Sequence, residues 1–119
     1  MSTTRDPDCL FCRIVAGELP STRVFEDDVV FGIRDINPQA PTHILLMPKV
    51  HIASADDLTA TDSDLLGRMF EIAAQLARSE GIADDGYRVV TNVGRNGGQT
   101  VDHLHFHLLG GRRFTWPPG

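Results

Sequence analysis

Three of the five histidines of this 119-residue chain fall in one short run, His103-Leu104-His105-Phe106-His107-Leu108-Leu109. On an extended strand alternate side chains point to opposite faces, so His103, His105 and His107 share one side while Leu104, Phe106 and Leu108 face the core. Clustered imidazoles are costly to bury unless they are hydrogen-bonded or bound to something. Two chemistries suit the row. A His-x-His pair on a strand face can chelate zinc, with a third ligand from elsewhere, and activate water. Alternatively, one neutral imidazole attacks phosphorus while its neighbours orient it, neutralise the phosphate oxygens and manage the leaving group's proton. The residues just upstream favour the second. Asn92-Val93-Gly94-Arg95-Asn96-Gly97-Gly98-Gln99-Thr100 is rich in glycine and neutral hydrogen-bond donors, and backbone amides in such a turn can cradle a phosphate. Gln99 and Thr100 add side-chain donors, and Asn92 is polar at a strand end.

A second constellation is Cys9 and Cys12. A disulfide between them would close a tiny loop and constrain little of the unfolded chain, so in a reducing compartment the spacing asks for a metal or redox explanation. Placed near the start of a helix, the pair can present both thiolates from one face. That spacing suits half a zinc site, whose other half needs two nitrogen or sulfur ligands. The alternative is a pair of free thiols. Lys49 is the only lysine, which leaves Schiff-base chemistry a single candidate.

The elements that must position these groups follow from periodicity and punctuation. Residues 1–8 read as a flexible tail and 9–119 as one domain. Asp8 can cap a short helix from Cys9 to about Ala16, stopped by Gly17. Strands are predicted over Thr22 to Glu26, Val29 to Arg34 and His43 to Met47, the last ending at Pro48. Thr61 or Asp62 then caps one long helix whose apolar positions run Leu65, Leu66, Met69, Ile72, Ala73 and Leu76, with Gly81 closing it. Arg88 to Thr91 and His103 to Leu109 complete the strands. They do not alternate regularly with helices. The expected architecture is therefore α+β, an antiparallel sheet of about five strands with one long and one short helix on one side.

Composition narrows the function classes. Hydrophobic content of 41% and charged content of 23% describe an ordinary soluble globule. Eleven basic against sixteen acidic residues give a net charge of −5, which argues against nucleic acid as a partner, because affinity for the phosphate backbone comes mainly from Lys and Arg. The apolar run Ile44 to Met47 is far too short to cross a bilayer, so no membrane partner is expected. Met1 to Asp8 is polar and no apolar segment follows it, as a secretory signal would require. A cytoplasmic location is expected.

The histidine row matches the histidine-triad (HIT) motif, His-φ-His-φ-His-φ-φ with φ apolar. The similarity extends from Phe11 to Gly119. Phe25-Glu26-Asp27-Asp28, the run from Asp35 to His43, Gly97-Gly98-Gln99-Thr100-Val101, and Gly110-Gly111-Arg112 with the ending Trp116-Pro117-Pro118-Gly119 resemble the Hint branch. That branch consists of homodimeric hydrolases of purine nucleoside phosphoramidates. The resemblance implies a HIT-like fold, an AMP-like purine nucleotide substrate, a homodimer, and P–N bond cleavage through a nucleotidyl-histidine intermediate.

Residue by residue, it makes His105 the nucleophile, has His107 hydrogen-bond the phosphate, and sets His43 near the scissile group as a fourth histidine. Asp35 takes the ribose hydroxyls. Asn92, Gly98, Gln99, Thr100 and the amide of Val101 hold the phosphate. Phe11, Ile14, Leu19 and Ile36 line the base pocket, although Ile14 and Leu19 fit the core equally well. Trp116 reaches the partner subunit's site or the dimer seam. Two departures stand out: Asp102 occupies a position where the branch commonly has an aromatic, and Thr100 replaces a usual serine.

Some bacterial HIT proteins and the related galactose-1-phosphate uridylyltransferases are also similar around the cysteines. There a Cys-x-x-Cys and two histidines, one of them the first of the triad, hold a structural zinc. By that resemblance Cys9, Cys12, His51 and His103 form a closed site that fastens the N-terminal helix to the sheet, with Asp102 beside it and the reaction metal-free. Two rival functions follow from the same residues: a dinucleoside polyphosphate hydrolase of the superfamily, and a nucleotide- and zinc-binding adaptor with incidental hydrolysis.

Overall fold

The unbroken apolar run in the third strand demands cover on both faces, and the chain is built around that demand. The computed structural model describes residues 6–119; residues 1–5, within the expected tail, lie outside the described residues. In chain order the elements are α1 (Leu10–Val15), β1 (Arg23–Glu26), β2 (Val30–Arg34), β3 (Thr42–Pro48), α2 (Ser63–Ser79), β4 (Tyr87–Val90), the single-turn α3 (Gly94–Gly97) and β5 (Phe106–Gly110). The strands form one antiparallel sheet in the order β1-β2-β3-β5-β4. β5 therefore lies between two neighbours, with His107 opposite Leu45 on one side and Val90 on the other.

The two faces carry separate cores. On one, Val30, Ile44, Leu46, Leu104, Phe106 and Leu108 pack against Met69, Ile72, Ala73 and Leu76 of α2. On the other, Phe31, Ile33, Leu45 and Met47 pack against Cys9, Phe11, Cys12 and Ile14 at α1. The helices thus lie on opposite faces, not on one side as the sequence suggested. All seven residues of β3 are buried, because each face has its own helix to meet.

α2 begins at Ser63 with Asp62 at its N-cap, one of the two caps the sequence suggested. Thr59 caps a short 3-10 turn over Ala60–Asp62, accepting from the Thr61 amide, and the Asp62 carboxylate reaches back to the Thr59 amide at 3.0 Å. Asp62 is the N-cap of α2 but makes no side-chain bond into it. α1 has 6 residues, below the ~12–15 at which an isolated helix begins to hold in water. Its N-cap is Cys9, not Asp8, and the Cys9 sulfur accepts from the Cys12 amide. Burying Phe11 and Ile14 contributes about 1.5–3 kcal/mol each, so α1 depends on tertiary contact for its existence.

β5 starts at Phe106, later than the expected His103. Leu104 donates its amide to the Ile52 carbonyl at 2.6 Å instead of joining the ladder. The alternation survives this departure, since Leu104, Phe106 and Leu108 are all buried on the α2 side. The Leu104–Ile52 bond also draws His51 toward His103.

Candidate active site

The segment leading into β5 divides its histidines between two clusters on the α1 face. His103 is fully buried and donates Nε2–H to the Pro48 carbonyl at 2.8 Å. Its Nδ1 lone pair is thereby turned to the thiols, 3.3 Å from Cys9 Sγ and 3.6 Å from Cys12 Sγ. His51 Nδ1 lies 3.4 Å from Cys12 Sγ. These four ligand atoms all lie within 4.8 Å of one another. A tetrahedral zinc with Zn–S of ~2.3 Å and Zn–N of ~2.0–2.1 Å separates sulfur from nitrogen by about 3.5 Å, so the donor set fits that ion in type, number and spacing. Burial raises the Cys9 pKa and pushes His103 down to about 4. Asp102 is exposed, on the rim of a shallow depression shared with Cys9 and His51.

The second cluster is organised by one backbone amide. Gln39 N–H donates to His43 Nδ1 at 3.0 Å, which leaves the His43 proton on Nε2. That N–H faces His107 Nδ1 at 2.9 Å and Asp35 Oδ2 at 3.4 Å. His107 must then accept at Nδ1 and carry its own proton on Nε2. Asp35, His43 and His107 together also have the composition of a metal site. The 2.9 Å N···N distance is a hydrogen bond, however, and is shorter than the ~3.3 Å that two imidazole nitrogens take on one tetrahedral zinc.

His105 is buried and donates Nδ1–H to the His103 carbonyl at 2.7 Å. Its Nε2 is left as an unprotonated lone pair. The Phe11 ring packs edge-on against it, with centroids 4.9 Å apart. Burial lowers the pKa of His105 and His43, and it brings His107 to about 4 with help from the neighbouring His105 and His43 imidazoles. In all three rings burial favours the neutral form.

A cavity of about 300 Å³ opens onto this lone pair. Its apolar wall includes Phe11, Ile14 and Ile36, and its polar end holds Asp35, Thr100, Val101, His105 and His107. Leu10, Ile33, Arg34 and Leu45 also line it, and sequence reasoning missed them. Ile33 and Leu45 share strand faces with Phe31 and Met47, a period-two signal that was available. Ile36 is 99% exposed at the rim.

Other expected contacts lie elsewhere. Leu19 packs partly buried against the α1 core and does not line the cavity. Asn92 sits in an adjoining cavity with His43 and His107. The glycine-rich turn coils into α3, and the amides of Gly98 and Gln99 are spent on the carbonyls of Arg95 and Gly94. Gly98 holds φ +82° as the left-handed stop of that turn, a conformation natural only to glycine. The Gln99 side chain donates to the carbonyls of Ala53 (2.7 Å) and Val101 (3.0 Å), and accepts from the Gly94 amide. Its hydrogens pin the loop that presents Thr100 and Val101. Trp116 is 83% exposed, away from the cavity lining. Lys49 pairs with Glu26 at 2.7 Å.

Comparison with known proteins gives one consistent answer. Residues 16–114 match the HIT domain. The purine nucleoside phosphoramidase of Escherichia coli (strain K12) is 50% identical over 105 residues, 88% of either chain. A 14 kDa zinc-binding protein of Zea mays is 48% identical over 119 residues, covering 96% of this chain and 90% of that one. A crystal structure of a HIT family hydrolase from Legionella pneumophila Philadelphia 1 matches with a TM-score of 0.93 and 54% identity, over 94% of this chain and 100% of the other.

Proposed function

The chain belongs to the HIT domain family, and from that premise we propose that it hydrolyses purine nucleoside phosphoramidates, splitting the P–N bond between AMP and an amine. The observation that carries this reading is the fixed tautomer of His105. With Nδ1–H committed to the His103 carbonyl at 2.7 Å, a neutral Nε2 faces the cavity beside a carboxylate and an apolar wall. An imidazole already deprotonated at neutral pH needs orientation and oxyanion donors, not a separate base. The 50% identity to a phosphoramidase supports the same choice.

In this scheme the purine lies against Phe11, Ile14 and Ile36, and Asp35 accepts from the ribose hydroxyls. His107 Nε2–H and the Thr100 and Val101 edge hold the phosphoryl oxygens. His105 Nε2 attacks phosphorus in line and the P–N bond to the amine breaks. Its electron pair stays on the departing nitrogen, which takes up one proton from solvent. Water then attacks the nucleotidyl-imidazole, AMP leaves, His105 returns to neutral and a proton goes back to solvent.

Cys9, Cys12, His51 and His103 would hold a zinc ion. When bound it would supply structural cross-linking, because four protein ligands leave no open position for water. It would tie α1, which carries the Phe11 and Ile14 wall, to the sheet, and the chemistry would remain metal-free. We further read the protein as a cytoplasmic homodimer: the free buried thiols suit a reducing compartment, and the exposed Trp116 suits a second subunit. Among the described residues, no helix is long and apolar enough to cross a membrane.

The test is release of AMP from adenosine 5′-phosphoramidate by purified protein, followed by chromatography. Turnover lost in His105→Ala supports the assignment; equal turnover in that variant overturns it.

A further inference from the structure

The cysteine pair carries chemistry that the proposed reaction leaves unused. Cys9 and Cys12 are the chain's two cysteines, both free and buried, and their sulfurs lie within 4.8 Å of each other. Burial on its own keeps a thiol inert, but each of these also forms part of a surface hollow. Cys9 lines one of about 420 Å³, beside His51 and the exposed Asp102. Cys12 lines another of about 300 Å³, beside Arg13 and Glu18. Asp6 borders both hollows. Its amide donates to Cys12 Sγ at 3.5 Å, and the Cys12 amide donates to Cys9 Sγ at 3.4 Å. The two sulfurs are thus held side by side where an oxidant of water's size can approach. Helical geometry sets Cα atoms three residues apart at about 5 Å, inside the ~4.4–6.8 Å that a disulfide spans.

We propose that Cys9 and Cys12 are a reversible oxidation site, at which hydrogen peroxide or another small peroxide converts the pair to a disulfide and disables the nucleotide cavity. The Cys9 sulfur, on the wider hollow, attacks one peroxide oxygen; the O–O bond breaks, giving a sulfenic acid and hydroxide. Cys12 then displaces hydroxide from that sulfur, and the S–S bond forms. Two protons turn both hydroxides into water, so the sulfurs lose two electrons and the peroxide gains them. The metal-release part of the inference rests on the zinc reading of this cluster. Once the sulfurs are bonded to each other, His51 and His103 are the cluster's remaining donors, too few to hold the ion. Two structural links carry the loss to the reacting centre. Cys12 lies between Phe11 and Ile14, which wall the nucleotide cavity. His103, 3.3 and 3.6 Å from the two sulfurs, offers its carbonyl to His105 Nδ1–H. So short a loop stabilises the oxidised form little, which leaves the bond open to thiol reductants and makes the change reversible.

The experiment treats the zinc-loaded 119-residue protein with hydrogen peroxide at about 1 mM for about an hour. Released zinc is followed with a chromogenic chelator, alongside free thiols, intact mass and AMP release from adenosine 5′-phosphoramidate. Zinc and both thiols should be lost in step, leaving a chain about 2 Da lighter than the reduced one, with kcat/KM lowered about tenfold. Reduction by a phosphine, followed by added zinc, should restore all four readings. Zinc retained with both thiols intact overturns the proposal, and so does a gain of about 32 Da per cysteine, the mark of irreversible sulfinic acid. A disulfide that leaves kcat/KM unchanged also overturns it, as does activity lost while both thiols remain. Met47 and Met69 are fully buried, and methionine oxidation is told apart by its gain of about 16 Da. If the protein takes up no zinc, or the untreated protein releases no AMP, the zinc or the phosphoramidase reading fails by itself. The thiol count and mass then still decide the oxidation site.

Discussion

Two histidine clusters share one face of the sheet, and they are made of nearly the same parts. In the first, His51 and His103 turn Nδ1 toward two buried thiols at 3.3 to 3.6 Å. In the second, His43 and His107 hydrogen-bond each other at 2.9 Å, and His105 keeps a lone pair for a cavity. On the proposed reading, what separates a metal cage from a nucleophile is the partner on the other ring nitrogen, together with what faces the free one. The Pro48 carbonyl aims His103 at sulfur, while the His103 carbonyl leaves His105 beside a cavity. His103 belongs to both clusters, through its ring to one and its backbone to the other. We therefore read the cysteine cluster as the fixture that holds the reacting imidazole in register.

Changes that strike one cluster and spare the other test this contrast. The largest effect should come from His105→Ala, with kcat reduced by roughly 10³-fold or more, AMP affinity by isothermal calorimetry altered only a few-fold, and bound zinc unchanged by elemental analysis. Next, Cys12→Ser should reduce bound zinc from about one equivalent to under about a tenth, since three ligands hold the metal far more weakly. Its melting temperature should fall by several degrees and kcat/KM by about 10–100-fold. A wild-type protein purified without chelator that carries under about a tenth of an equivalent would remove the zinc reading altogether.

Smaller effects sharpen the picture. His107 has a folded pKa of about 4, against ~6.5 for an unfolded imidazole. Between those values the unfolded chain binds more protons, so the stability His107 contributes is complete above pH ~6.5 and is lost as the pH falls through about 4. Thermal melts of wild type and His107→Gln across that window should converge toward the acid end. Smallest of all, Thr100→Ser keeps the hydroxyl and should change kcat/KM by less than about threefold, a steady-state measurement within the usual range for a substitution that removes one methyl.

How much of this was legible in the sequence differs between the clusters too. The triad's alternation was fully written in Leu104, Phe106 and Leu108, because period-two burial needs only one covered face to declare itself. The side on which α1 packs was not, since an amphipathic helix does not say which face of a sheet it meets. The continuous run Ile44 to Met47 was the available hint that both faces are covered. His51 was set beside His103 by the resemblance and not by any local pattern; the Leu104–Ile52 bond next to them is a contact distant in sequence. Gln99 shows a related limit. A donor beside glycines looks like a ligand contact, but its amide is used to brace its own loop, and only the folded geometry distinguishes the two.

The central claim is that the His105 imidazole forms a transient bond to phosphorus. Mixing the protein with adenosine phosphoramidate labelled at phosphorus, then quenching within milliseconds in denaturing alkali, measures it directly. The account predicts label on the protein in an early phase, approaching one equivalent, decaying as AMP appears and absent from His105→Ala. Steady AMP release with no label on the protein at any time point would contradict it.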